Sequence, residues 1–86
     1  MQIKQELRQF VVDNFLFGSA QDLRDDASFL ENGIIDSTGV LELIAFLEER
    51  FGITLDERDL TPENLDSLNK VTRLVEMRLV PREEVV

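Results

Sequence analysis

The chain contains no cysteine, no histidine, no tryptophan and no tyrosine. Without cysteine there is no disulfide frame, no Cys-ligated zinc and no thiol nucleophile. Without histidine the commonest general base, the Ser-His triad and most catalytic zinc sites are missing. Catalysis through Asp, Glu and Lys stays formally open, but the usual kit is absent, and no catalytic residue is assigned. No apolar run approaches membrane-spanning length. Residues 1–20 form a mixed amphipathic stretch with Lys4, Glu6, Arg8 and Asp13 inside it, so no signal peptide is expected. The expectation is a soluble, cytoplasmic protein. Its 86 residues make one domain with a single modest core.

Basic residues are also scarce. Eighteen acidic side chains face nine basic ones, for a net charge of −9. Nucleic acid and anionic membrane surfaces are therefore not expected as partners, because both require a positive face. The charge is unevenly placed: residues 22–36 carry −4, 37–55 carry −2 and 56–66 carry −4, while the two ends sum to +1. A partner with a basic face would be steered to the middle of the chain. Solubility is the simpler use of the same charge.

Ile3, Leu7, Phe10 and Val11 recur at the spacing of one helix face, which predicts a helix over about residues 2–16, ended by Gly18. Residues 18–36 read as a long loop, anchored on the core by Phe29, Leu30, Ile34 and Ile35. Loops this long in small domains are unusual unless they pack or work. A second helix is predicted from Ser37 to Phe51, with Asp36 as N-cap and Gly52 as its stop. Val40, Leu43, Ile44, Leu47 and Phe51 would form its buried stripe, and Glu42, Glu48 and Glu49 would face outward. Thr61-Pro62 starts a short helical turn. A last helix covers Ser67 to Leu79, with Leu68, Val71, Val75 and Leu79 on one face. No repeat and no strand alternation is visible. The phenylalanines at 10, 15, 17, 29, 46 and 51 are most simply core, Phe46 being the one expected to be partly exposed. The predicted fold is all-α, a small four-helix bundle of three longer helices and one short, with a long first loop. Residues 1–80 make the domain and residues 81–86 a charged tail.

Gly33-Ile34-Ile35-Asp36-Ser37 points most directly at chemistry. Ser37 sits just after a capping aspartate, with its hydroxyl at the positive end of a helix, a place that suits a covalently attached phosphate. Gly33 supplies a flexible lead-in. Asp36 is placed to help hold a divalent cation while a group is transferred. Taken alone, Asp-Ser is most simply an ordinary helix start. A second Asp-Ser, Asp66-Ser67-Leu68, has no leading glycine, begins a basic helix (Lys70, Arg73, Arg78) and reads as a decoy. The cluster Asp22, Asp25, Asp26 and Glu31 fails the EF-hand spacing and reads as a solvated loop.

The surroundings of Ser37 resemble a known family. Phe29-Leu30-Glu31-Asn32-Gly33-Ile34-Ile35-Asp36-Ser37 is similar to the signature of acyl carrier proteins, in which a leucine- and glycine-containing loop leads into Asp-Ser. Glu42-Leu43, Leu47-Glu48-Glu49 and Phe51 follow where the family carries them. Asn64-Leu65-Asp66-Ser67-Leu68 is similar to the start of the family's last helix. The resemblance extends from the first helix to Leu79.

That resemblance implies a non-catalytic carrier protein. Ser37 would carry 4'-phosphopantetheine, transferred from coenzyme A by a phosphopantetheinyl transferase, with Asp36 beside it. The arm's thiol would hold acyl intermediates as thioesters, so a chain without cysteine acquires its sulfur with the cofactor. Some of the phenylalanines would line the cleft that shelters the acyl chain. Thr38, Glu42, Glu48 and Glu49 would dock on basic patches of loading ligases, synthases or transferases of fatty-acid, polyketide or other secondary-metabolite synthesis, and the carrier would act as a monomer. Thr38, Gly39 and Arg50 depart from the family pattern and imply a partner choice unlike that of the housekeeping fatty-acid carrier. Gly39 should also weaken its helix by roughly 1 kcal/mol relative to alanine. The alternatives are an aminoacyl or peptidyl carrier loaded by an adenylating ligase, and an unmodified acidic helical adaptor.

Overall fold

Apolar residues spaced three and four apart give each long segment one face to bury, and the segments do so as helices. In the computed structural model, which describes residues 3–16 and 23–79, these are α1 (Ile3–Phe15), α2 (Ser37–Phe51), the single turn α3 (Pro62–Leu65) and α4 (Leu68–Leu79). A 3-10 turn, Glu57–Asp59, precedes α3 and was not foreseen. No strand occurs among the described residues. Gly18, Phe17, Asp22 and the tail 81–86 lie outside them.

Helix α4 is the centre of the bundle. Leu68, Val71, Leu74 and Val75 are all essentially inaccessible and pack with Leu7 and Val11 of α1 and Leu43 and Leu47 of α2. Leu74 joins the expected stripe and Leu79 is only half-buried. Each such side chain contributes about 1.5–3 kcal/mol by leaving water. That outweighs exposed ion pairs, whose usual worth is about 0–1 kcal/mol. Along the α1–α2 seam the Phe10 and Phe46 rings stack at 4.1 Å, with Phe15 and Phe51 edge-on to either side. Phe46 is partly exposed, as expected.

The first loop is held at both ends of its described part. The Arg8 guanidinium donates to the Leu23 carbonyl at 2.6 Å and to the Asp25 carboxylate, which Lys4 also reaches at 3.3 Å. Asp25 is thus neutralised by α1. Further on, Phe29 to Gly33 make one helical turn. The Gly33 and Ile34 amides donate to Leu30 and Phe29 carbonyls at 3.2 and 2.8 Å, and Gly33 has φ of 66°. This Schellman-type closure needs a left-handed residue, so the glycine serves geometry here. Phe29 and Ile35 are buried in the core. Leu30 departs from expectation, being 49% exposed.

Gly39 also corrects the simple reading of helix propensity. It is buried, and a Cβ there would lie 2.7 Å from Phe15 Cε1 and 2.9 Å from Ile35 Cγ2. The missing side chain lets α2 approach the end of α1 and the loop. Arg50, the other residue out of pattern, turns toward α1 and pairs with Glu6.

Asp59 is the main charged group in the interior. It is 6% exposed, closes the 3-10 turn by accepting the Asp56 amide at 3.0 Å, and pairs with Arg78 at the end of α4. The hydrogen bond from Arg78, then that from the Asp56 amide, holds its carboxyl below the ordinary value of 3.8.

Two outcomes follow. Gly39→Ala is expected to lower stability despite alanine's better helix propensity. Overpacking costs about 1–3 kcal/mol against a propensity gain of about 1, so thermal melts should show a fall of several degrees. For Asp59, the depressed folded pKa means its stabilisation is complete above the unfolded value and is lost as pH falls through the folded one. The gap in urea midpoint between wild type and Asp59→Asn should therefore be full near neutrality and close as pH drops below 3.8.

Candidate functional site

The site is the start of α2 together with the loop before it and the segment before α3. Asp36 is in extended conformation and its Oδ1 accepts the Gly39 amide at 2.8 Å, while its carbonyl accepts the Val40 amide at 2.9 Å. This is the N-cap that the sequence suggested. Ser37 is therefore the first helical residue. It is exposed, and its hydroxyl makes no hydrogen bond among the described residues. The amides of Ser37 and Thr38 likewise find no acceptor there, so the helix presents unsatisfied N–H groups and the positive end of its dipole beside the hydroxyl.

Beside Ser37 lies a cleft of about 230 Å³ with a largely apolar wall. Phe29, Ile35, Val40 and Leu65 form its interior. Leu30 and Leu60, which are 49% and 39% exposed, stand at its mouth. Ser37 and Asp66 contribute polar atoms to its edge. Of the phenylalanines, Phe29 lines this cleft, whereas Phe10 and Phe46 belong to the α1–α2 seam.

The second Asp-Ser is a different environment. Ser67 is 3% exposed and its Oγ accepts the Lys70 amide at 3.1 Å, so the hydroxyl caps α4 from inside the fold. Burial and use separate two dipeptides that share their letters.

The outer face of α2 carries Thr38, Glu42 and Glu49, all exposed. It also carries Leu41, 68% exposed and one turn from Ser37 on the same side of the helix. Sequence reasoning passed over Leu41, although its position off the buried stripe of 40, 43, 44 and 47 was the available signal. Glu48 corrects the outward reading: it is half-buried, and its Oε2 accepts the Leu55 amide at 2.9 Å. It tethers the chain leaving α2.

An exposed hydroxyl at the start of an acidic helix and an adjoining apolar cleft in an all-helical frame are features a carrier domain requires. A phosphodiester fits the serine because the helix start offers free donors and no side chain crowds the hydroxyl. Residues 5–75 match the family described as the phosphopantetheine attachment site. The chain is 31% identical over 78 residues to an acyl carrier protein of Chlamydia muridarum, covering 91% of this chain and 97% of that protein. It is 30% identical over 71 residues to the D-alanyl carrier protein of Streptococcus suis, covering 83% and 87%. A chain in a solved structure described as that of an FAD-dependent dehydrogenase superposes with a TM-score of 0.72 at 28% identity, covering 80% of this chain and 97% of that one. The chain belongs to the phosphopantetheine-binding carrier family. It is a non-catalytic carrier whose prosthetic group is covalent 4'-phosphopantetheine.

Removing the Glu48 carboxylate tests its tethering role. Glu48→Ala leaves the buried Leu55 amide unpaired, at a cost of about 1–3 kcal/mol. Glu42→Ala and Glu49→Ala should change stability by no more than about 0.5 kcal/mol, as chemical denaturation would show.

Proposed function

We propose that Ser37 is the attachment residue and that the protein carries acyl intermediates between enzymes of lipid or secondary-metabolite synthesis. The observation that carries this is the pairing of a free, exposed Ser37 hydroxyl with the apolar cleft beside it. In the loading step the Ser37 oxygen forms a phosphodiester with the pantetheine-side phosphorus of coenzyme A. The pyrophosphate bond breaks, adenosine 3',5'-bisphosphate leaves, and the serine proton passes to the transferase or to solvent. The group supplies a thiol on a long flexible arm.

The chain's own residues do the rest. Asp36 keeps the helix start ordered and offers a carboxylate to the transferase's divalent cation. The free amides of Ser37 and Thr38 favour the phosphate charge. The cleft between the loop and α3 shelters an apolar cargo from water. Glu42 and Glu49, with Thr38 and Leu41 between them and Ser37, form the face that meets basic patches on the transferase and on loading or condensing enzymes. Glu48 adds charge to that side while its carboxylate is engaged with Leu55. Docking of this kind is fast, screened by salt and easily reversed, which suits a shuttle. The carrier acts as a cytoplasmic monomer, its domain spanning 1–80 ahead of the tail 81–86.

A second reading is an aminoacyl carrier loaded by an adenylating ligase. The similarity to a D-alanyl carrier favours it, and Thr38, Gly39 and Arg50 distinguish the recognition helix from the usual pattern. Both readings require Ser37.

The test is intact mass after incubation with coenzyme A, magnesium and a broad-specificity phosphopantetheinyl transferase. Wild type and Ser67→Ala are expected to gain one phosphopantetheinyl group and Ser37→Ala none. A folded wild type that stays unmodified beside a control carrier would replace this reading with that of an unmodified adaptor.

A further inference from the structure

The second Asp-Ser dipeptide has a use of its own. Asp66 sits between α3 and α4 and receives three consecutive loop residues. Its Oδ2 accepts the Ser28 hydroxyl, its backbone carbonyl accepts the Phe29 amide at 2.9 Å, and its Oδ1 accepts the Leu30 amide at 2.9 Å. Ser28 Oγ is itself fixed by the Glu31 amide at 3.0 Å.

These bonds cross the cleft. Phe29, Leu30 and Ile35 form its loop wall, and Leu60, Pro62, Leu65 and Asp66 form the wall around α3. Asp66 therefore belongs to one wall and holds the other. Among the described residues no other hydrogen bond joins the walls, whose lining is largely apolar, and apolar contact is non-directional. Hydrogen bonds to a carboxylate are directional and weaken steeply when stretched. Helix α3 is a single four-residue turn, too short to hold its place by its own hydrogen bonding. Its distance from the loop is thus set by tertiary ties, of which Asp66 makes three.

We propose that Asp66 determines cargo specificity: it clasps the two cleft walls, limits how far they part, and so limits the length of acyl chain the cleft shelters. This rests on the reading that Ser37 carries thioester cargo. The cleft, open at its mouth between Leu30 and Leu60, has a volume of about 230 Å³. Longer chains require the walls to separate, and the Asp66 ties resist it.

The experiment uses the full chain, converted to the phosphopantetheinyl form and loaded with straight acyl groups from acetyl to myristoyl. Hydroxylamine attacks the thioester carbonyl, releasing the thiol and forming the acyl hydroxamate. Intact mass follows the loss, with each acyl-pantetheine as the unprotected reference. In wild type, protection should rise from acetyl to a best-protected length and decline for longer chains. Asp66→Ala should move the best-protected length to longer chains, changing the dodecanoyl-to-octanoyl ratio by about threefold or more. Ser28→Ala, which removes one tie and leaves the others, should move it the same way by less. Asp66→Asn keeps an acceptor for the Leu30 amide and loses the one for the Ser28 hydroxyl, so it should shift the profile no further than Ser28→Ala does. In the unmodified protein, hydrogen exchange at the Leu30 amide, which loses its acceptor, should quicken in Asp66→Ala.

A wild-type length profile in folded Asp66→Ala, or in Ser28→Ala should the former not fold, overturns the clasp, as does unchanged exchange at Leu30. A flat profile in wild type overturns sheltering by the cleft and the clasp with it. Absence of the mass gain at Ser37 overturns the attachment reading before any cargo is loaded, so the three failures are distinct.

Discussion

The Ser37 end of the molecule depends on how the first loop is fastened to the bundle. A long segment without regular structure carries backbone donors and acceptors that must find partners wherever water is excluded. Here Asp66 takes those of Phe29 and Leu30, the Asp25 carbonyl takes the Asn69 amide at 3.0 Å, and Arg8 takes the Leu23 carbonyl. The Phe29 ring, 1% exposed, adds the apolar anchor. From Phe29 the chain needs one helical turn, closed at Gly33, to deliver Asp36 and Ser37 to the start of α2.

The same economy governs charge. Lys4 and Arg8 neutralise Asp25, Arg50 pairs with Glu6, and Arg78 pairs with the buried Asp59. Several of the scarce basic side chains are thus engaged in ion pairs within the chain, tying helices and loop together. Among the described residues, the acids left without such partners include Glu42 and Glu49 on the outer face of α2. The surface offered to a basic partner is therefore more acidic than the sequence order alone suggests, and it is centred on an exposed leucine.

Much of this was legible beforehand. The bounds of α2, its Asp36 cap and Gly52 stop, the Pro62 start of α3 and the capping place of Ser67 all follow from local rules, in which a side chain or a glycine satisfies the helix end beside it. The misses share one cause. Gly39 looked like a weak helix residue because its reason, the approach of Phe15 and Ile35, comes from distant chain. Glu48 looked like solvent-facing charge because its partner amide lies beyond the helix end. Leu30 looked like an anchor because its letter is apolar, yet it stands half-exposed at the cleft mouth. Asp59 gave no signal at all, since its partner Arg78 is on another helix.

The sequence by itself determined the helices, their caps and the candidate serine, because those depend on neighbours within about one helical turn. It also pointed to the function class by resemblance, through the motif around Ser37. Only the tertiary structure decided that Ser37 is exposed while Ser67 is buried, and that Asp66 ties the loop to α3. It also decided where the cleft lies and which acidic residues remain free on α2. Those outcomes depend on burial and on pairs of residues remote in sequence, and no local pattern encodes the distance between them.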